Sequence, residues 1–279
     1  MNPENQTEPF IVPRITRIVD NAHLTLPGSK SIALRQLAMA ALAEGTSTIT
    51  GVPDCDDADA MLACIAALGA DVSVDGKQIL VTGPIDRLKD IALDARMSGA
   101  STRLLIGIAA LRSGRTHIDG HSSLRARTNA PLYEVLRAQG CQVESATGGL
   151  PVTIAGPLQP AKVVEIDASL SSQYVTALLL CAPYCSFDAA TDHQTQRIHI
   201  TGDLVSRPYI DITLNEMSKR GVRSHWVDKH TLEVEQGSYQ AGKIQIEGDA
   251  TAATYFAALA TLHGGSLTLG NLGNSTVQG

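Results

Sequence analysis

The 279-residue sequence is poor in aromatic side chains, with three Phe, one Trp and six Tyr, so its core must be packed from Ala, Leu, Ile and Val. It has no apolar run long enough to span a bilayer and no signal-peptide pattern at its start. Positive charge is also scarce. The formal net charge is −6 at pH 7, which argues against nucleic acid or an anionic membrane as the main partner. Any affinity for anions must therefore be local. The five cysteines, Cys55, Cys64, Cys141, Cys181 and Cys185, are odd in number and lack metal-ligand spacing, which fits a reducing compartment. Cys181 and Cys185 sit four apart on an apolar segment and read as buried thiols rather than ligands. The expectation is a soluble cytoplasmic protein of one large or two ordinary domains.

What is present centres on Leu26-Pro27-Gly28-Ser29-Lys30-Ser31-Ile32-Ala33-Leu34-Arg35, a small-residue turn running into an apolar helix. A helix N-terminus has unpaired N–H groups and the positive end of the dipole, and here Lys30 and Arg35 add fixed charge beside it. For this segment alone, an anion site and a simply capped core helix are equal readings. The helix should end near Gly45 and lead through a strand at 46–51 to the acidic turn Asp54-Cys55-Asp56-Asp57 and a second helix over 58–68. Asp54, Asp56, Asp57 and Asp59 suit that helix N-terminus better than a metal. Strands at 72–74 and 79–81 then close on Gly83-Pro84, and short strands are expected before the first helix at 14–20 and 23–26.

The pattern recurs. Ala43-Glu44-Gly45 to Ile49-Thr50-Gly51 matches Arg112-Ser113-Gly114 to Ile118-Asp119-Gly120, and Gly83-Pro84 matches Gly156-Pro157. Further copies run from Leu178 through Gly202 to Val222, and from Ala257 to Gly270. Gly51, Gly120, Gly202 and Gly270 recur at a spacing that suits a βαβαββ unit. Each unit opens with a hydroxyl-bearing or capping turn before its helix: Ser29-Lys30-Ser31, Ser98 to Arg103, Ser169 to Gln173, and Gly248 to Thr251. Related units can converge these helix tips on one surface, and together with Lys30, Arg35, Arg103, Arg127 and Arg207 that surface is an anion site.

Six segments carry a family resemblance. They are Leu26 to Ser31 with Arg35, Ser123-Leu124-Arg125-Ala126-Arg127, Ser171-Ser172-Gln173, Gly202 to Thr213, Glu247-Gly248-Asp249-Ala250, and Asn274 to Gly279. In order and over nearly the whole chain, they resemble the 5-enolpyruvylshikimate-3-phosphate synthase family. The resemblance implies an inside-out α/β fold of repeated βαβαββ units, three complete and a fourth begun. It divides the chain into 1–24, an N-terminal segment of the second, incomplete domain; 25–242, a complete domain that binds shikimate 3-phosphate; and 243–279, the first part of the incomplete domain.

Family members transfer the enolpyruvyl group of phosphoenolpyruvate to the 5-hydroxyl of shikimate 3-phosphate, with no metal or organic cofactor. By carry-over, Ser171, Ser172 and Ser206 hold the shikimate phosphate, and Ser31, Arg35 and Tyr209 surround its ring and carboxylate. Lys30 and Arg127 face phosphoenolpyruvate with the Gly99 backbone beside it, Lys30 touches both substrates, and Gln173 lies where they meet; Lys30 and Gln173 are the catalytic pair.

The sequence also departs from the family. Met97-Ser98-Gly99-Ala100-Ser101-Thr102-Arg103 replaces an Asn-Ala-Gly-Thr turn, and three residues separate Arg127 from Pro131, leaving Arg125 as its competitor. Family members continue past the position of Gly279 with an aspartate that acts as proton acceptor, followed by two further units. The resemblance therefore implies an enzyme polypeptide, a fragment or one half of a split protein, that is inactive until the C-terminal part completes it, as a separate segment or by fusion. The alternative is a catalytically silent module that binds shikimate 3-phosphate.

Overall fold

A computed structural model describes residues 21–185, 195–273 and 276–278. The strand expected at 14–20 lies outside them. Strand β1 (Ala22–Thr25) is followed by α1 (Lys30–Leu42), β2 (Gly45–Thr50), α2 (Asp56–Ala67), β3 (Asp71–Asp75) and β4 (Gln78–Gly83). The next run is β5 (Ile91–Asp94), α3 (Gly99–Ala110), β6 (Thr116–Asp119), the short α4 (Ser122–Arg125), α5 (Ala130–Ala138), β7 (Gln142–Glu144) and β8 (Val152–Ala155). Then come β9 (Val163–Asp167), α6 (Ser172–Cys181), β10 (Thr195–Thr201), α7 (Arg207–Lys219), β11 (Ser224–Trp226) and β12 (Thr231–Glu235). The last elements are β13 (Lys243–Gln245), α8 (Ala250–His263) and β14 (Leu267–Gly270). Helix α2 starts two residues before the expected Ala58, because Asp56, Asp57 and Asp59 occupy its first turn, where the dipole favours carboxylates.

Three four-stranded sheets share one order, β13-β2-β4-β3, β5-β6-β8-β7 and β9-β10-β12-β11. In each, the first strand is parallel to the second and the other neighbours are antiparallel. The first sheet takes its parallel edge from β13, which pairs Ile244 opposite Ile49 and lies just past residue 242. Strand β1, the segment preceding α1, pairs instead with β14 in a two-stranded sheet.

The sheets face outward and the helices fill the centre. In α1 every residue from Ile32 to Leu42 is buried, and α3 and α6 are buried almost throughout. Helices apolar on all sides demand such a position. Helix α3 approaches α6 closely at Gly107, where a Cβ would lie 2.8 Å from the carbonyl oxygen of Ala177. The repeated Gly-Pro has a physical cause as well: a Cβ at Gly83 would strike the Ala43 carbonyl, and one at Gly156 the Ala110 carbonyl, at matching helix ends. Beneath the first unit, buried Arg220 donates from Nε to Gln36 Oε1 (2.7 Å) and from Nη1 to Ser47 Oγ (2.7 Å). Gln36 Nε2 in turn donates to Glu216 (2.6 Å), tying α7 to α1 and β2.

Candidate active site

Three helix N-termini meet at one cavity of about 350 Å³. Its walls carry Lys30, Ser31 and Arg35 from α1, Gly99 and Arg103 from α3, and Gln173 and Thr176 from α6, with Asp57, Met97, Arg127 and Tyr209 at the sides. The convergence follows from the packing of α1 on α3 and α3 on α6. Ser98 caps α3 by accepting from the N–H of Ser101 (3.2 Å), and Ser171 caps α6 by accepting from that of Gln173 (3.2 Å).

Each cation is held differently. Arg35 is 5% exposed and donates to Thr213 Oγ1 (2.8 Å), the Ser31 carbonyl (2.7 Å), Thr176 Oγ1 (3.3 Å) and the Tyr209 carbonyl (3.0 Å). Much of its hydrogen-bonding capacity thus joins α1 to α6 and α7 rather than facing a ligand. Burial pushes its guanidinium down to about 10, so it stays charged at neutral pH. Lys30 Nζ lies 3.2 Å from Asp57 Oδ2. Arg103 is 8% exposed and donates from Nη1 to the Gly99 carbonyl (3.0 Å) and to Gln173 Oε1 (3.1 Å), while its Nε has no partner among the described residues. Its guanidinium is held below the ordinary value by burial first, with Arg127 adding like-charge repulsion. Gly99 permits this crowding, since a Cβ there would lie 2.8 Å from Arg103 Nη1 and 3.1 Å from Arg127 Nη1.

The choice between Arg125 and Arg127 is visible in the fold. Arg125 makes two bonds to Asp119 (2.9 and 2.6 Å), which hold that carboxyl below its usual range, and it lines a different, open cavity. Arg127 faces the helix tips. Against four cations, Asp57 is the single carboxylate on the main cavity wall among the described residues. A chain of net charge −6 thus builds one strongly positive pocket.

The other expected residues lie elsewhere. Ser206, the left-handed N-cap of α7 with φ 56°, lines an adjoining cavity of about 230 Å³ with Ser29, Asp249, Thr251 and Gln278, and the two cavities share Ser31 and Tyr209. Gln278 reaches it by bonding the Gly248 carbonyl (2.7 Å) and the N–H of Ala250 (3.2 Å). Ser171 and Ser172 line neither cavity; Ser172 is buried at the α6 start. Arg207 stacks 4.0 Å from the Trp226 ring centre and stays out of both.

Sequence reasoning counted Arg103 among the cations of the anion surface but gave it no part in holding either substrate, and it assigned no ligand role to Thr176 or Asp57. The signal for Arg103 was available, because it lies one turn beyond Gly99 on the same helix face. Thr176 stands in the same relation to Ser172. Asp57 offered no such signal, since its partners come from other elements.

Comparison with known proteins agrees with this architecture. The family model for EPSP synthase (3-phosphoshikimate 1-carboxyvinyltransferase) matches residues 17–279. The chain is 35% identical over 268 residues to the 3-phosphoshikimate 1-carboxyvinyltransferase of Serratia proteamaculans, covering 93% of this chain and 61% of that one. It is 34% identical to the enzyme of the same name from Vibrio vulnificus, with the same coverage. The chain thus spans about three-fifths of the length of these curated relatives. The solved EPSP synthase of Acinetobacter baumannii has the same fold, with a TM-score of 0.75 at 22% identity over 92% of this chain and 56% of that one. With the family model matched from residue 17 to the last residue, this chain belongs to the EPSP synthase family.

Proposed function

We propose that the polypeptide serves enolpyruvyl transfer from phosphoenolpyruvate to the 5-hydroxyl of shikimate 3-phosphate. In this reaction an O–C bond forms at the enol carbon, the bond from that carbon to the phosphate oxygen breaks, and the hydroxyl proton leaves. The observation that carries the reading is the cavity where Lys30, Arg35, Arg103 and Arg127 meet the N-termini of α1, α3 and α6. Both substrates are multiply anionic. Preformed N–H groups and guanidinium donors offset such charge without reorganising during the reaction.

In this reading Lys30, Arg127 and the Gly99 N–H hold phosphoenolpyruvate, and Gln173, oriented by Arg103, lies between the two substrates. Shikimate 3-phosphate lies across the boundary of the two cavities. Ser31, Arg35 and Tyr209 meet its ring and carboxylate, and its phosphate extends from Ser206 in the adjoining cavity toward Ser171 and Ser172, which stand outside both cavities at the α6 start. The domain that carries this surface runs from residue 25 to about residue 242, with β13 closing its first sheet.

Proton transfer is the unmet need. Asp57 already bonds Lys30 and Ser98, so the cavity wall presents no uncommitted carboxylate among the described residues. A general base must lie within hydrogen-bond reach of the proton it takes. The expected result is that chain 1–279 binds both substrates yet releases phosphate at least about 10²-fold more slowly than when joined to the C-terminal part of a relative. Phosphate release from phosphoenolpyruvate, with and without that part, measures this. Binding without turnover in either form favours the silent binding module, and no binding overturns the reading.

A further inference from the structure

We infer that Asp57 is a positioning residue: it holds the Lys30 ammonium at a fixed place against the first turn of α3, so that Lys30 faces the anion cavity instead of solvent. The inference rests on the phosphoenolpyruvate reading of that cavity.

Lys30 sits in an awkward place. It occupies the first turn of α1, where the positive end of the helix dipole disfavours a cation. Its stem is flexible, and its side chain is half exposed, at 49%. A free lysine there would turn outward. Asp57 opposes this from the first turn of α2, where the dipole favours a carboxylate. Its Oδ2 accepts from Lys30 Nζ at 3.2 Å. Its Oδ1 accepts from Ser98 Oγ at 2.5 Å, and Ser98 is the N-cap of α3. Ser101 Oγ also donates to the Asp57 main-chain carbonyl at 3.2 Å. One residue therefore references the first turns of three helices to one another, and the ammonium stands on that frame.

The same carboxylate also repels an incoming anion. Removing it has two opposite effects, loss of Lys30 order and relief of repulsion, and only the first depends on Lys30. A double-mutant cycle separates them. Phosphoenolpyruvate is titrated by calorimetry, with shikimate 3-phosphate present, into chain 1–279 and its Asp57→Asn, Lys30→Met and doubly substituted forms. Thermal unfolding checks that each variant is folded.

With Lys30 present, Asp57→Asn is expected to weaken binding roughly five-fold, the cost of ordering a long side chain on binding. In the Lys30→Met background it should cause no weakening, because only the repulsion remains to be lost. Equal or tighter binding by Asp57→Asn with Lys30 present overturns the inference. So does the same fold-loss in both backgrounds, which marks a merely structural carboxylate. If Lys30→Met alone binds as tightly as the parent, or the parent does not bind, the reading of the cavity fails and takes the inference with it. Should Asp57→Asn not fold, Asp57→Glu, which keeps the charge but moves it, runs through the same cycle under the same criteria.

Discussion

Two arginines two positions apart have opposite fates, and the difference lies in their partners. Arg125 is bound to Asp119 by two hydrogen bonds, whereas Arg127 stands on the cavity wall beside Gly99. Arg127→Leu is expected to weaken phosphoenolpyruvate binding by about ten-fold or more, the usual consequence of deleting a hydrogen bond to a charged group. Arg125→Leu should leave it within about two-fold, because that charge is already neutralised. Calorimetry on both variants checks the pair, and the reverse ranking would reassign the site to Arg125. Sequence spacing could not choose between them, since both follow the same serine, and only the fold shows that Arg125 ends the short helix α4 while Arg127 lies just beyond it.

At the scale of elements, the inner helices set the geometry of the site. The approach of α3 to α6 depends on Gly107, because the atom a Cβ would meet is the main-chain oxygen of Ala177 at 2.8 Å, with Cys181 Sγ at 3.0 Å. A backbone carbonyl cannot move aside as a side-chain tip can. Gly107→Ala is therefore expected to destabilise the fold by about 2 kcal/mol, read as a lower urea midpoint at unchanged slope. It should also displace Gln173 from Arg103, since these two residues lie on the helices it forces apart. An unchanged midpoint would mean that the helix pair has slack there. Helix starts and stops were legible from serines, glycines and apolar runs. Which helices touch was not, because helices that are apolar all round offer no single face to a neighbour.

The buried cysteines give the whole molecule a pH dependence. Burial pushes Cys64 and Cys141 up to about 11 and Cys185 to about 12, from an ordinary 9.0. The unfolded chain loses these protons from about pH 9 while the folded chain keeps them, so stability is full below that point and falls as pH rises. Unfolding free energies from urea titrations at pH 8 and pH 10 should differ by roughly 1 kcal/mol per buried thiol, with the lower value at pH 10. Arg35 and Arg220, at about 10 in the folded chain, act with the opposite sign from about pH 10 upward and offset part of the thiol loss there. Stability is also uneven across the chain. Helix α8 buries Ala253 alone and leaves Tyr255 and Leu262 at 74% and 80% exposure, whereas α1 is buried along nearly its whole length. Amide hydrogen exchange should be orders of magnitude faster in α8 than in α1; equal protection would mean that the β1 and β14 end folds as one unit with the rest.

The local rules of the chain determined a great deal. Recurring glycines, capping serines and alternating apolar runs define each unit, because turns, caps and periodicity act between residues close in sequence. The acidic start of α2 and the basic start of α1 are equally local. Only the tertiary structure decided that β13, rather than β1, closes the first sheet, since β1 and β13 are both short strands with no pairing partner written beside them. Pairing of Ala22–Thr25 with Leu267–Gly270 is reinforced by Asn271, which accepts from the Leu26 N–H and donates to the Leu26 carbonyl across 245 positions. The site shows the same division. That the Lys30 turn is a candidate anion site follows from a lysine at a helix N-terminus; that Asp57, Arg103 and Gln173 share its cavity, with Ser98 bonded to Asp57, follows from helices packed together in space, because a hydrogen bond depends on distance and direction and not on position along the chain.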